Sequence, residues 1–291
     1  MGYVYIVLAA VLWGLIGPAS RFALRDGVDP LEIAFWRAVI AAACFGAHAV
    51  ALRRTRIARR DLPAVIVFGL LGVSLLYAAV FLAVRHGGAA LASVLLYTAP
   101  VWVAVLAALF LHERMTGRKL LAVFLAMAGV AGIATASGGS GIRLTAPALF
   151  WGLLSGWAYA LFYLFGKRYF DRYPAATLFM YALPVGALGL LPLVDFRPKT
   201  PVAWTAIVFL AVVPTYASYL LYSAGLRRVE ATRAATVATI EPVVAAVSAY
   251  LVWGERMSVT GYLFAGLVLL AVLLMVSGDG KTETDAPPGG S

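Results

Sequence analysis

One helix-length stretch of this chain occurs twice, and that duplication restricts what the rest can fold into. Residues 89–115, AALASVLLYTAPVWVAVLAALFLHERM, return 142 positions later as ATRAATVATIEPVVAAVSAYLVWGERM at 231–257. Ala89, Ala92, Pro100, Val101, Ala104, Val105, Ala107, Leu109, Glu113, Arg114 and Met115 meet identical residues in one ungapped register, ending at Met257. Further upstream, Tyr77 and Arg85 meet Tyr219 and Arg227 at the same spacing. Self-similarity held over so long a register is the mark of an internal repeat. Each copy is apolar, carries a proline near its middle, and closes on a Glu-Arg pair.

Composition says where such copies can live. The 291 residues are 63% hydrophobic and 12% charged, with a mean hydropathy of +0.92. Soluble domains carry about twice that share of charge, so most of this surface must face lipid. Runs of about 20 apolar residues cross a bilayer as helices. Ten are expected: Tyr3–Ala23, Leu31–Leu52, Leu62–Val84, Ala89–Leu111 and Leu120–Ser137, then Ala146–Phe170, Ala175–Val194, Val202–Leu226, Ala231–Trp253 and Val259–Ser277. The fold class is therefore all-α integral membrane, as two five-helix repeats at 1–137 and 146–277 around a Gly/Ser linker at 138–145. The polar 278–291 tail is expected to be disordered. The first run is too long for a signal-peptide core and is read as a retained span.

Lys and Arg set the topology. Fifteen lie on the side of the N-terminus and seven opposite, with Arg37 inside the second span. Positive charge is retained in the cytoplasm, so both termini are expected there. Five spans per copy send the second copy through the bilayer the other way, as in the inverted repeats of secondary transporters. Trp13 and Pro30, matched by Trp157 and Pro174 at an offset of 144, agree.

The net charge of +10 falls in short clusters, which fits topology signals and anionic headgroups rather than nucleic acid. Cys44 is alone, so no internal disulfide forms, and His48, His86 and His112 are scattered, so no metal site is expected. No phosphate loop, HExxH helix or nucleophile elbow occurs, which argues against an ATP motor or a hydrolase. Neither a catalytic residue nor a cofactor is expected.

The 5 + 5 spans, the E-P-V-V of Glu241 to Val244, the G-E-R-M of Gly254 to Met257, and F-W-R-A-V-I-A-A from Phe35 to Ala42 together resemble the EamA branch of the drug/metabolite transporter superfamily. Within it the aromatic-rich spans look most like the YddG-type amino-acid exporters. The resemblance implies small-metabolite passage through a central cavity between the first, third, fourth, sixth, eighth and ninth spans.

Several residues are candidates for that site. Glu241, at mid-depth, is costly there and should face the interior or water. It could hold a substrate ammonium or relay a proton, or be a structural acid beside a kink. Trp13, Tyr77, Tyr97, Trp157, Tyr163, Tyr216 and Tyr219 lie within spans, where rings can stack on substrate or hold a cation and hydroxyls can hydrogen-bond it. Aromatics on membrane helices usually serve packing or interface belts. Pro100 and Pro242 are expected to kink their spans as hinges. Arg37 could bind a carboxylate, though a structural role, snorkelling to the interface, is favoured. Small-residue pairs, Ala89 with Ser93, Ala104 with Ala108 and Ala245 with Ala249, are expected where helices pack closely. Glu113-Arg114 and Glu255-Arg256 are expected to anchor helix ends.

The expected function is export of amino acids, aromatic and apolar ones favoured, and related small metabolites by alternating access in a bacterial-type inner membrane, with protons as a candidate coupling ion. A sugar-phosphate or nucleotide-sugar carrier is the alternative within the superfamily; it would need more cavity cations than Arg37. A membrane-embedded enzyme or a helical scaffold is the alternative of another class. A cavity of a few hundred Å3 or more between the halves would favour transport over a scaffold.

Overall fold

The computed structural model of the protein describes residues 1–136 and 142–277. The tail at 278–291 and the Gly/Ser stretch at 137–141 lie outside the described residues, and with them the end of the fifth expected span and part of the linker. The described chain forms ten helical spans: Gly2–Arg25, Pro30–Ala51, Leu62–Gly87, Ala89–Phe110, Gly117–Ala136, Ala146–Tyr169, Ala175–Leu193, Pro201–Leu226, Ala231–Trp253 and Val259–Val276. They match the expected runs to within a turn at each end. No strand occurs among the described residues.

Start signals sit where helices need them. Asp29 accepts from the Leu31 N–H at 2.8 Å just ahead of Pro30, and Thr145, Thr200 and Ser258 do the same for Ala148, Ala203 and Gly261. Each satisfies one of the first-turn donors that a helix leaves without a partner. Outward faces carry bare apolar side chains: Phe124 is 67% exposed and Leu251 74%. That is stable only against lipid.

The packing repeats as the sequence does. The fifth span lies along the tenth and the second along the seventh. The third packs on the sixth as the first packs on the eighth, and the fourth crosses the sixth as the ninth crosses the first. Exchanging the halves leaves this pattern unchanged. The fourth and ninth spans run antiparallel: the end of one meets the start of the other, as at Glu113 with Ala231. That arrangement is consistent with inversion of the two copies.

Both copies also interrupt their helices at mated positions. The third span contains a π-helical turn at Gly69–Leu75 and the eighth one at Val212–Ala217. Each turn is tied across the repeat boundary by a hydroxyl: Ser74 donates to the Gly186 carbonyl at 2.8 Å, and Thr215 accepts from Arg37 at 3.1 Å. π-turns of this kind are concentrated at functional sites.

Candidate functional site: a cavity between the broken spans

The repeated stretch is where both halves stop being continuous helices. The fourth span divides into Ala89–Leu96 and Ala99–Phe110, and the ninth into Ala231–Ala238 and Glu241–Trp253. The 142-residue offset maps every one of the starts, and the ends at Leu96 and Ala238, onto each other. Each interruption falls in the turn just before its proline, at 97–98 and 239–240, where the missing N–H and the ring's clash with the preceding turn open the helix, as a proline kink requires. Pro100 and Pro242 sit in the first turn of the second segment of each span, a position that tolerates a residue without an N–H. The prolines follow the breaks.

Between the divided spans lies a cavity of about 980 Å3. Its mouth is on the side away from the N-terminus, framed by Arg21, Gly88, Glu255, Arg256 and Ser258. Ala89, Ala90 and Ser93 form one wall, Ala245, Ala246 and Ala249 the facing wall, and Val130, Ile133 and Ala134 of the fifth span the back. It descends to Tyr97 and Pro242. Of the expected small-residue pairs, Ala89 with Ser93 and Ala245 with Ala249 therefore border open space rather than a helix contact, contrary to expectation, while Ala104 of the third pair is buried. Of the six spans expected to line the cavity, the third, sixth and eighth do not line this opening.

Next to Pro242, the half-buried Glu241 begins the second half of the ninth span. Tyr97 and Arg37 both act on its charge, Arg37 from beyond salt-bridge range. A carboxylate on the first turn of a helix lies in the favourable field of that helix's dipole. Arg37, only 5% exposed, does not snorkel, correcting the expectation. It donates to Thr215 from Nε and Nη2 and lies 5.6 Å from the Tyr77 ring centre. Desolvation makes a lone buried cation costly, so the hydroxyl and the ring face are what it has in place of water.

Below the floor the protein is shut. A void of about 10 Å3 remains among Tyr97, Tyr159, Tyr163, Ala235 and Thr239, room for about one water. Val103, Ala107, Ala231 and Ala235 are at most 2% exposed where the second half of the fourth span meets the first half of the ninth. The Glu113 carboxylate crosses to accept from the Ala231 N–H at 2.6 Å, the Thr232 N–H at 3.2 Å and the Thr232 hydroxyl at 2.8 Å. Beside it Glu230 pairs with Lys119 at 2.8 Å and Arg233 at 2.6 Å. Burial pushes the Glu230 carboxyl up, but the hydrogen bonds from Lys119 and Arg233 outweigh it and hold it below the usual range.

Comparisons with known proteins agree on what carries this arrangement. The model of the EamA-like transporter family matches residues 1–135 and 146–277, one stretch per half. The chain belongs to the EamA-like transporter family. An uncharacterized transporter of Archaeoglobus fulgidus is 30% identical over 283 residues, 94% of this chain and 98% of that one. A probable terminal-alkyne amino-acid exporter of Streptantibioticus cattleyicolor is 31% identical over 256 residues, 86% and 84% of the two chains. A solved structure titled only as a crystal structure of a protein superposes with a TM-score of 0.82 at 18% identity, covering 94% and 95%, which supports the fold. The protein is a multi-pass membrane transporter.

This EamA-like chain distributes the expected aromatic residues unevenly. Tyr97 lines both the cavity and the void beneath it. Tyr163 borders the void at 1% exposure, behind the floor. Of the mated Tyr77 and Tyr219, Tyr77 lies under the Arg37 guanidinium, and Trp13 packs edge-on to Tyr219 with ring centres 6.4 Å apart. Trp13 and Tyr219 are 5% and 8% exposed, in the protein's interior. Tyr216 faces the second span instead, bonding His48 at 2.8 Å and touching Phe45. Trp157 is half-buried and borders none of the described cavities. Sequence reasoning treated Glu113 and Glu255 only as anchors; the structure places them at opposite ends of the fourth and ninth spans, Glu113 at the shut end and Glu255 at the cavity mouth.

Proposed function

We propose that this transporter exports amino acids across the plasma membrane by alternating access, with both termini cytoplasmic and the cavity open outward. The observation that carries this reading is a cavity open at one end and shut at the other, reaching down to Tyr97 and Pro242 on either side of the half-buried Glu241. Glu241, with Tyr97 near it, offers an ammonium a counter-ion in a dry surrounding, and the alanine-lined walls above it accept an apolar or aromatic side chain. The exporter from Streptantibioticus cattleyicolor supports the same class of substrate. An acid beside the cavity argues against anionic sugar phosphates. The same carboxylate is positioned to take up a proton when no ammonium is present, so protons are the proposed coupling ion.

Counterflow of radiolabelled amino acids into liposomes containing the purified protein tests this, with and without a pH gradient. Leucine or phenylalanine counterflow is expected, and Glu241→Gln should reduce it roughly tenfold to a hundredfold, the worth of a charged hydrogen bond. Absence of counterflow for every amino acid would sink the reading.

A further inference from the structure

We propose that Glu113 and Glu255 are the paired gate residues of this transporter: each seals one end of the cavity by capping the broken span opposite, and they do so in turn. The inference rests on the alternating-access reading above. In this structure the Glu113 half of the exchange is visible. Its carboxylate takes both the Ala231 and Thr232 N–H groups, donors that a helix start leaves bare and that concentrate positive potential. The repeat register sends Glu113 to Glu255, Ala231 to Ala89 and Thr232 to Ala90.

At the open end those mates stand apart. No side chain among the described residues takes the Ala89 or Ala90 N–H, while Glu255, Ala89 and Ala90 line the same cavity. Glu255 is held elsewhere, by a two-pronged pair with Arg21, which lowers its carboxyl below the usual range. Arg21 therefore competes with the fourth span's bare N–H groups for one carboxylate. The walls are shaped for the closure too. Ala89, Ser93 and Ala249 face open space, whereas their mates Ala231, Ala235 and Ala107 are packed together at the shut end. Closing the mouth brings the small faces into contact and Glu255 onto the Ala89 and Ala90 N–H groups. Glu113 then lets go of the ninth span. A carboxylate with three bonds at one end and an arginine partner at the other favours the state seen here.

The full-length protein in membrane vesicles, with Cys44→Ser removing the native thiol, gives a direct test. Ala246→Cys reports the open wall and Ala235→Cys the shut end, each read with a membrane-impermeant thiol reagent applied to either side. Glu255→Ala should leave Ala246→Cys fully labelled and reduce Ala235→Cys labelling roughly tenfold or more, since the mouth loses its cap. Arg21→Ala should do the reverse, protecting Ala246→Cys and raising Ala235→Cys labelling. Glu113→Ala should raise Ala235→Cys labelling as well. A merely structural pair would move both reporters the same way in Glu255→Ala and Arg21→Ala; that outcome, or no shift in either, overturns the proposal. Labelling needs no substrate, so failure of amino-acid counterflow would leave this readout standing.

Discussion

The two ends of the broken-span pair are built from the same repeat and differ in how they are held. At the N-terminal-side end, Glu113 spans the gap with three hydrogen bonds, and alanines and a valine are packed out of reach of solvent. At the other end, Glu255 turns away to Arg21 and equivalent alanines border a 980 Å3 opening. The backbone breaks fall at the same register in both copies, so the breaks do not decide which end is shut. Side chains do. The second copy brings Glu230, Thr232 and Arg233 to the shut end, where the first has Gly88, Ala90 and Leu91 at the other. One end is latched by charge, and the other must close on a single acid and small residues.

The sharpest way to break that comparison places one substitution at mated positions. Ala249→Leu adds bulk to a wall with room for it, so melting in detergent should be unchanged while counterflow falls roughly tenfold or more, because the mouth can no longer close without overpacking. Ala107→Leu adds the same atoms to a fully buried site and should destabilise by about 1–3 kcal/mol, lowering Tm. Equal thermal effects at the two sites would mean that the open end is packed in the resting state.

The fold was legible because each of its signals is local. Apolar runs give spans, and the constant offset pairs them. The divided spans were only half legible: proline at 100 and 242 reads as a kink, but that the first segments end at Leu96 and Ala238 depends on neighbouring spans. Gly156 shows how: a Cβ there would meet Thr98 Oγ1 at 2.4 Å and the Leu95 carbonyl at 2.7 Å, so the sixth span crosses directly on the break. Glu241 was legible as a mid-depth acid, and the cavity reaches its neighbours Tyr97 and Pro242. Aromatic residues were less so, because hydropathy cannot say which face of a span meets water. Tyr216 and Tyr219 are three residues apart, yet one meets His48 and the other Trp13.

A smaller effect sharpens the account of the latch. Thr232→Val keeps the shape and removes the hydroxyl that donates to Glu113 at 2.8 Å, leaving the two backbone donors. One such bond is worth about 1 kcal/mol net, so labelling of Ala235→Cys from the N-terminal side should rise several-fold, well short of the Glu113→Ala effect. An equal rise in both would show that the hydroxyl, rather than the helix start, holds the carboxylate.

The smallest effect concerns acid. Glu230, partly exposed, is held below its ordinary pKa of 4.5 by Lys119 and Arg233, whose hydrogen bonds outweigh burial. A depressed carboxyl contributes to the closed end fully above that ordinary value, and its contribution disappears as pH falls through the lowered one. Spin labels at His112 and Arg228, both exposed on this face, should therefore keep one separation from neutral pH down to the ordinary carboxylate range and spread apart only below it. Glu230→Gln should shift a minor fraction of molecules to the wider separation already at neutral pH, since solvent screens a partly exposed pair, and should flatten the acid step. A transition near neutral pH that survives Glu230→Gln would assign the shut end to a different titrating group and leave Glu230 as a bystander to the Glu113 cap.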